Sequence, residues 1–456
     1  MLLPFSSRST QDHGLDDPAR RIDRTLEDRR HRLIAGFSMS RDFGRIDAVL
    51  MVASGHGKYL RIQHAEAESQ ALPKTLQDDL KGIASKSDPS LADTRQLATD
   101  LAIHQATLFE KIKCRAGKYV DRILAIAVAD PGLWWQDFDG SQQYASLCTP
   151  MRLSQLTGTT VIDDFPARDV ATGGRGTCLD ALPLWFLLAD RAPKVAADHR
   201  LVLQLNQQSA GYWLPASDGL DADLPNISFI GATPSIEFLN DLLLRKCGTD
   251  LCRQHETTQS ETFSPERLYA NGTRDADLIE QWNRAWTQFL ATASTDNPST
   301  EAIDSQLAQI VEAPQFQDVA PENVIRSAVY WIIELILADI SPAPSRADQV
   351  YFATESPLTP CLINQFIQAA DFDKSRVHSR PSLSGTTTSH STTAISAAIL
   401  GLLHIDQMPA NVPKLTGASE QRILGRLSMG SPSNWRQLLR EMADFQPPAM
   451  KLRDAV

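Results

Sequence analysis

Three short passages of the chain combine residue types that can do chemistry. Residues 54–58 (SGHGK) suggest a phosphate loop, but they lack the full spacing of such a loop and lie between two strand candidates, which favours a hairpin. Trp134 and Trp135 are adjacent aromatic residues that could stack on a ring of a ligand or pack in a core or at its rim. Arg168 and Asp169 precede a glycine-rich bend, which an internal ion pair could tie to its domain.

The remaining Asp, Glu, His and Ser residues do not form a recognisable catalytic triad or metal cluster by their spacing. No histidine pair follows the two cysteines that lie close together, which disfavours a zinc site, and the cysteines are too scattered for a disulfide framework. The sequence therefore predicts no metal ligands and indicates thiols in a reducing compartment. The six cysteines are Cys114, Cys148, Cys178, Cys247, Cys252 and Cys361.

Composition and charge restrict the class of protein. The chain has 456 residues, of which 42% are hydrophobic and 22% charged, as in globular proteins, and this length corresponds to two or three domains. The chain has 44 basic and 55 acidic residues, so its formal charge is -11. Nucleic acid and anionic membranes are therefore not expected as main partners. No segment approaches the roughly 18 apolar residues of a membrane span, and the N-terminus lacks the apolar core of a signal peptide, so we expect a cytoplasmic protein.

The order of the predicted elements indicates an α/β protein with two lobes of related design. After a polar leader at 1–31, to which we assign no function, strands and helices follow in the order β-β-β-α-β-α-β-α. A second series of strands begins at Arg200 and leads into several helices. We expect the first lobe to comprise residues 32–193 plus 404–456, and the second lobe, with a helical insertion, residues 194–403.

Two motifs carry a resemblance to a known family. The first is residues 157–165 (TGTTVIDDF), continued by 168–176 (RDVATGGRG), and the second is residues 411–419 (NVPKLTGAS), ending at Leu424-Gly425. Both are similar to motifs of the anhydro-N-acetylmuramic acid kinase family, which belongs to the superfamily of two-lobed sugar kinases, actin and heat-shock ATPases. The resemblance implies two RNase-H-like lobes with a cleft between them, a sugar-side first lobe and a nucleotide-side second lobe.

The resemblance also implies a chemistry. Such kinases bind ATP and Mg²⁺ between the lobes and a 1,6-anhydro-amino sugar in the first lobe, where an Asp acts as general base on the water that opens the anhydro ring. Arg168 and Asp169 match the family's sugar-contacting positions, and Trp134 lies in its sugar-binding passage, so these three are the expected substrate-binding residues. Self-association of some relatives leaves a homodimer as one option.

Several of the family's functional positions have changed in this chain. In the first phosphate turn, the cofactor-binding candidates are Gly36, Gly44 and Asp47, although Gly44 falls where the family has an Asp. Ser40 and Arg45 replace glycines, whose missing side chains let backbone N–H groups approach phosphate. Both histidines of the sugar-binding passage are absent at residues 129–135 (ADPGLWW). The glycine turns of the second lobe correspond to residues 203–210 (LQLNQQSA) and 354–359 (TESPLT).

The resemblance aligns Ala232 with the family's general base, so it implies no catalytic residue at that position. Three nearby acids could replace it, namely Asp164, Glu237 and Asp241. One hypothesis is therefore a degenerate kinase that has lost phosphoryl transfer and serves as a binding or regulatory partner. The alternative is an active ATP-dependent kinase of cell-wall recycling with a substituted base, and a third idea is a cleft that binds the sugar without chemistry.

Overall fold

The protein was analysed as a computed structural model. It describes residues 31–40, 43–84, 90–136, 142–188, 199–204, 209–215, 227–234, 236–247, 265–292, 306–340, 347–354, 358–379 and 392–444. Residues 1–30 of the predicted leader and residues 380–391 lie outside these ranges.

The first sheet has six strands, and its strand order identifies the fold. Strands β1 to β3 form an antiparallel meander, β4 is parallel to β1 on the other side, β7 is parallel to β4, and a short β13 closes that edge antiparallel to β7. The order is therefore β3-β2-β1-β4-β7-β13. Its strands are β1 (His31–Met39), β2 (Arg45–Ser54), β3 (Arg61–Ala71), β4 (Ile123–Ala129), β7 (Val161–Asp163) and β13 (Arg426–Ser428).

The second sheet repeats the same order with five strands. Strands β8 to β10 form the antiparallel meander, β11 is parallel to β8, and β12 is parallel to β11. Two sheets with a shared 3-2-1-4-5 order, each the core of an RNase-H-like unit, confirm the predicted α/β fold of two such lobes. The strands are β8 (His199–Gln204), β9 (Ser209–Pro215), β10 (Ser228–Thr233), β11 (Ala347–Ala353) and β12 (Val377–His378).

Helices surround both sheets, and one small hairpin stands apart from them. The hairpin pairs β5 (Leu133–Gln136) with β6 (Gln142–Ala145). The helices associated with the first lobe are α1 (Lys74–Ala84), α2 (Leu91–Lys113), α3 (Pro150–Thr157), α4 (Phe165–Val170), α5 (Ala181–Leu188), α11 (Thr392–Ile405), α12 (Pro413–Thr416) and α13 (Pro432–Asp444). Those between β10 and β12 are α6 (Ile236–Cys247), α7 (Pro265–Asn271), α8 (Ala276–Thr292), α9 (Pro321–Ile340) and α10 (Thr359–Ala370).

Residues 54–58 join β2 to β3, as the hairpin interpretation predicts. The backbone N–H of Gly57 donates to Asp406 at 2.7 Å, and His56 Nδ1 lies 3.1 Å from the same carboxyl. Arg32 completes the group with two hydrogen bonds to Asp406, of 2.7 and 3.0 Å. The segment therefore helps to hold the end of α11 to the start of β1.

Helix α11 packs against the first sheet, which corrects the predicted lobe boundary at residue 404. A Cβ on Gly36, in the middle of β1, would overlap the carbonyl oxygen of Ala394 and lie 2.8 Å from the Cβ of Ala398. A Cβ on Gly401 would similarly lie 2.7 Å from the Cβ of Ala127 on β4. Small residues on both surfaces thus permit close contact between helix and sheet, and the chain returns to the first lobe by Thr392.

The cores of the two lobes meet at α5. Leu182 and Trp185 of this helix share one buried cluster with Val202 and Ala353 of the second sheet. The opposite face of the second sheet packs on a separate core, in which Phe238, Trp282 and Trp331 have ring centroids 5.4–5.7 Å apart. No helix among the described residues is long and apolar enough to span a membrane.

We predict that the stability of the protein depends on the close contact between β1 and α11. Gly36→Ala forces the helix away from the strand and should lower the free energy of unfolding by about 2–3 kcal/mol, because overpacking a close contact has costs of this size. Gly82→Ala is the matched control, since a Cβ there has no neighbour within 4 Å on α1. It should leave stability unchanged or raise it by up to about 1 kcal/mol. Urea unfolding of both variants measures the difference, and equal stability would contradict the packing argument.

Candidate functional site

The first sheet brings two functional segments to one edge. Strands β4 and β7 are parallel neighbours, with Ala127 opposite Ile162, so the residues that follow each strand leave the sheet on the same side. Asp130 follows β4, and Asp164 follows β7. The C-terminal edge of these strands is therefore where the first sequence motif meets the segment that the resemblance aligns with the family's sugar-binding passage.

Asp169 is the anchor of the first motif. It lies on α4, is fully buried, and accepts hydrogen bonds from the backbone N–H of Gly176 at 2.9 Å and from Asn411 Nδ2 at 2.8 Å. Its backbone carbonyl also accepts from the N–H groups of Thr172 and Gly174, both at 3.0 Å. These bonds close residues 169–176, which we call the Asp169 loop, into a compact turn.

The second sequence motif completes the same unit. Asn411 donates to the carbonyl oxygen of Glu420 at 3.0 Å and accepts from the N–H of Arg422 at 2.6 Å, so one fully buried amide ties together its own segment and the Asp169 loop. Backbone bonds from Arg175 to Thr416 and from Ser419 to Thr172, each 2.9 Å long, join the two segments again. Motifs about 240 residues apart in the chain thus form one structure.

Arg168 and Asp169 do different things. The side chain of Arg168 is exposed. The pKa of His404 is lowered mainly by burial and also by the positive charge of Arg168. Asp169 has neutral amide donors, so the loop is held to its lobe by hydrogen bonds rather than by the ion pair considered from the sequence. Arg168 therefore presents a guanidinium to solvent beside a fixed loop.

Trp134 lies beside the Asp169 loop. Its Nε1 donates to the carbonyl oxygen of Pro131 at 2.7 Å, and its ring lies 4.7 Å from that of Tyr144, centroid to centroid. A Cβ on Gly176 would be only 2.8 Å from Trp134 Cη2, and Gly176 also has a φ of +66°. Glycine at this position lets the indole approach the backbone that binds Asp169, while Trp135 is half exposed on the hairpin.

Three further carboxyl groups line this edge, and sequence analysis did not single out Asp130 and Asp163. Asp130 accepts from Tyr144 Oη and Ser146 Oγ, both at 2.7 Å, and from the N–H of Cys148 at 2.6 Å, while burial raises its pKa. Burial also raises the pKa of Asp163 to about 6, against the opposing effect of Arg426 at 2.8 Å.

Asp164, the third of these groups, is one of the three acids proposed as a substitute base. It has a left-handed φ of +63°, and its carboxyl lies 3.5 Å from Arg426, which also binds Asp163. Burial raises the pKa of Asp164, and the guanidinium of Arg426 opposes this. Asp163 and Asp164 are adjacent and lie inside the first sequence motif, so the motif itself could have pointed to both residues. The role of Asp130 could not be found in this way, because it depends on contacts with β6 and the residues after it.

Comparison with known proteins finds a match over the residues that form this edge of the first sheet. A family model described as "Anhydro-N-acetylmuramic acid kinase" matches residues 33–205, which include the first sheet up to β7 and the Asp169 loop. An anhydro-N-acetylmuramic acid kinase of Picosynechococcus sp. (strain ATCC 27264 / PCC 7002 / PR-6) is 22% identical over 401 residues, covering 84% of this chain and 95% of that protein. The chain is therefore similar to the anhydro-N-acetylmuramic acid kinase family, most specifically over residues 33–205.

Two solved structures with matching chains are more distant. An activator of 2-hydroxyisocaproyl-CoA dehydratase from Clostridium difficile, with bound ADPNP, is 9% identical with a TM-score of 0.35, covering 81% of this chain and 94% of its own. A glucokinase from Balamuthia mandrillaris, in complex with glucose, is 10% identical with a TM-score of 0.28, covering 84% and 98%. The fold assignment rests instead on the strand order of the two sheets.

The turn between β1 and β2, at the family's first phosphate turn, is closed on itself. The N–H of Ser40 donates to the carbonyl of Arg45 at 3.0 Å, the N–H of Phe43 to the carbonyl of Ser40 at 2.9 Å, and the N–H of Arg45 to Ser40 Oγ at 3.0 Å. Phe43 has a φ of +56° and a side chain buried in the core. Three backbone donors of this turn are therefore used within it.

The three cofactor-binding candidates of this turn have structural partners. Gly36 lies under α11, and the carbonyl oxygen of Gly44 accepts from the N–H of Leu72 at 2.9 Å. Asp47 is buried on β2, where its carboxylate binds Arg45 Nε at 3.1 Å and the hydroxyl of Ser69. Arg45, a glycine in the family, thus neutralises the carboxylate that follows the turn.

The second lobe shows fewer of the positions named from the sequence. Ala232 lies on β10 opposite Ala210 of β9, and no group of three metal-ligating side chains occurs within the described ranges. Asp241, on α6, binds Arg245 at 3.1 Å, and Arg245 also binds Glu312, so this candidate base belongs to an ion-pair network. The side chain of Glu237 and residues 205–208 and 355–357 lie outside the described part.

We predict that Asn411 is the residue that holds the Asp169 loop in place. Asn411→Leu removes one of the two donors to a buried carboxyl and one acceptor for Arg422, so the free energy of unfolding should fall by about 3 kcal/mol. Ser419→Ala is the control, because its exposed hydroxyl bonds Thr172 across the same two segments at 3.0 Å. In Ser419→Ala, the free energy of unfolding should fall by less than about 1 kcal/mol. Denaturant unfolding compares the two, and an equal loss would contradict the assigned role.

Proposed function

We propose that the protein is a catalytically degenerate member of the anhydro-N-acetylmuramic acid kinase family, a pseudokinase that serves as a binding or regulatory partner. One observation carries this proposal, namely the closed turn between β1 and β2. Family members need glycine turns whose N–H groups point at phosphate. Here the donors of Ser40, Phe43 and Arg45 are satisfied inside the turn, and exposing them to a ligand would break those bonds.

Charge at the same turn supports the proposal. Arg45 and Asp47 bind each other at 3.1 Å, and the Asp47 carboxyl is also bound by Ser69. A carboxylate occupied in this way is a poor ligand for the Mg²⁺ that accompanies ATP, because the guanidinium and the metal would compete for it. ATP and Mg²⁺ are therefore not expected as tightly bound cofactors.

The sugar side of the first lobe differs from the nucleotide side. The Asp169 loop keeps its sequence motif, Arg168 is exposed beside it, and Trp134 packs against Gly176. Guanidinium groups and indole rings both suit recognition of hydroxyl-rich rings. We therefore propose a 1,6-anhydro-amino sugar as the ligand, bound without phosphorylation, in peptidoglycan recycling in the bacterial cytoplasm.

The second hypothesis is an active ATP-dependent kinase that uses another acid as base. Among the three proposed acids, Asp164 is favoured by position, since it immediately follows β7 and begins the turn into α4. Its raised pKa would suit proton transfer better than that of an ordinary surface carboxylate. Phosphoryl transfer to the 6-oxygen with opening of the anhydro ring would then persist.

We predict no turnover with ATP, Mg²⁺ and 1,6-anhydro-N-acetylmuramic acid. The loss of phosphate-binding donors removes the charge stabilisation on which phosphoryl transfer depends. Mass spectrometry of the reaction should show no sugar 6-phosphate, while a bona fide family kinase assayed alongside shows it. Product that requires ATP and disappears in Asp164→Asn would establish the active-kinase hypothesis instead.

The same sugar, without nucleotide, tests the binding role separately. It should raise the melting temperature in a saturable way, because a ligand specific for the folded state stabilises it. Arg168→Ala should weaken this effect without changing the melting temperature of the free protein, since Arg168 is exposed. If the sugar does not change the melting temperature of the wild type, the sugar is not the ligand. The proposed role would then be regulation through binding of another protein.

We predict that Mg-ATP binds weakly. Each lost charge-assisted hydrogen bond is worth about 1.5–3 kcal/mol, so losing several takes a micromolar affinity to millimolar or beyond. A thermal-shift titration should show no change at millimolar Mg-ATP. A saturable shift at tens of micromolar nucleotide would mean that side chains have rebuilt the phosphate site, and the degenerate function would be wrong.

A further inference from the structure

One polar contact joins the two lobes where their cores meet. Gln204, the last residue of β8, donates from Nε2 to the carboxyl of Asp180, which immediately precedes α5. Gln204 is only 8% exposed, and its Oε1 is buried with no hydrogen-bond partner among the described residues. One amide therefore has a satisfied donor and an unsatisfied acceptor on the same side chain, a state that costs free energy in a buried position.

A carboxylic acid would complete this contact. An ionised carboxylate can only accept, whereas a protonated one has an O–H that can donate to Oε1 while its other oxygen accepts from Nε2. Acid and amide would then share two hydrogen bonds. We propose that Asp180 is protonated in the folded protein and forms a carboxylic acid–carboxamide pair with Gln204, which clasps the two lobes together and weakens when Asp180 ionises.

The surroundings of Asp180 agree with a neutral acid. The residue is half-buried, but its carboxyl lies deep among surrounding atoms, and burial raises its pKa to about 6, opposed only by a backbone hydrogen bond. Helix α5 (ALPLWFLL) and strand β9 (SAGYWLP) contain no charged residue.

Helix α5 packs on β3, β9 and α11, and several titratable residues on these and nearby elements have contacts of their own. Arg200 stacks on Tyr351, His64 binds Glu66, Arg175 donates to Leu415, and His404 lies against Leu424. None of them shifts the pKa of Asp180.

The pH dependence follows from the sign of the shift. Because the folded pKa is higher than the unfolded value of 3.8, the folded state binds the proton more tightly, and this stabilisation is lost as pH rises toward and through about 6. Between pH 5 and pH 7.5 the unfolding equilibrium constant of the wild type should rise about tenfold from this group alone. Asp180→Asn keeps an accepting oxygen and gains N–H donors, so it imitates the protonated acid at every pH.

The test compares unfolding of the wild type and Asp180→Asn by denaturant at pH 5 and pH 7.5. We expect the variant to become more stable relative to the wild type as pH rises, by about tenfold in the unfolding constant. Asp78→Asn removes an exposed carboxylate paired with Lys74 and should follow the wild-type profile. Identical pH profiles for Asp180→Asn and the wild type would overturn the proposal.

Infrared difference spectroscopy tests the pair without relying on the Asn variant. The folded wild type should show the carbonyl band of a protonated carboxylic acid at pH 5 that disappears by pH 7.5. In Gln204→Leu the band should move to the higher frequency of an acid without a hydrogen-bonded partner. Absence of the band at pH 5, or a band unaffected by Gln204→Leu, would overturn the pairing.

Discussion

The candidate site depends on one buried carboxyl group. Asp169 is removed from water, so each of its oxygens needs a donor, and the chain supplies them from Gly176 and Asn411. These two bonds fix the Asp169 loop and draw the second motif, about 240 residues later, against it. Trp134 then packs on Gly176, and Arg168 is left at the surface. Removing water from a single charged group therefore organises both motifs and the aromatic hairpin beside them.

The same physical requirement explains why the two sides of the first lobe have diverged differently. At the Asp169 loop, the N–H of Gly176 and the amide of Asn411 donate to the carboxyl of Asp169, and all three residues lie in the two motifs that resemble the family. At the turn between β1 and β2, the lost glycines are replaced by residues that satisfy one another, with Ser40 binding Arg45 and Arg45 binding Asp47. A glycine turn keeps its N–H groups available because nothing local uses them, whereas the N–H groups of Ser40, Phe43 and Arg45 are used within this turn.

Local pattern was enough to predict much of this fold. The repeated strand series indicated two related lobes, and the second series, predicted to begin at Arg200, starts with β8. The boundary at residue 404 was wrong because α11 is apolar on all sides, so only its contact with Gly36 shows which sheet it covers. The network around Asp130 and the short strand β13 were missed because their partners are distant in sequence and carry no periodicity of their own.

The edge of the second sheet that faces α5 carries one row of residues from four strands. Backbone register places Ala232, Ala210, Gln204 and Ala353 in one transverse row across β10, β9, β8 and β11. The resemblance aligns the first of these with the family's general base, and two of the other three positions are also alanines. Gln204 alone brings a polar group to this row, and it binds Asp180 of the first lobe. A Gln204 side chain that bonds Asp180 across the lobe junction is not available to a phosphate or a metal.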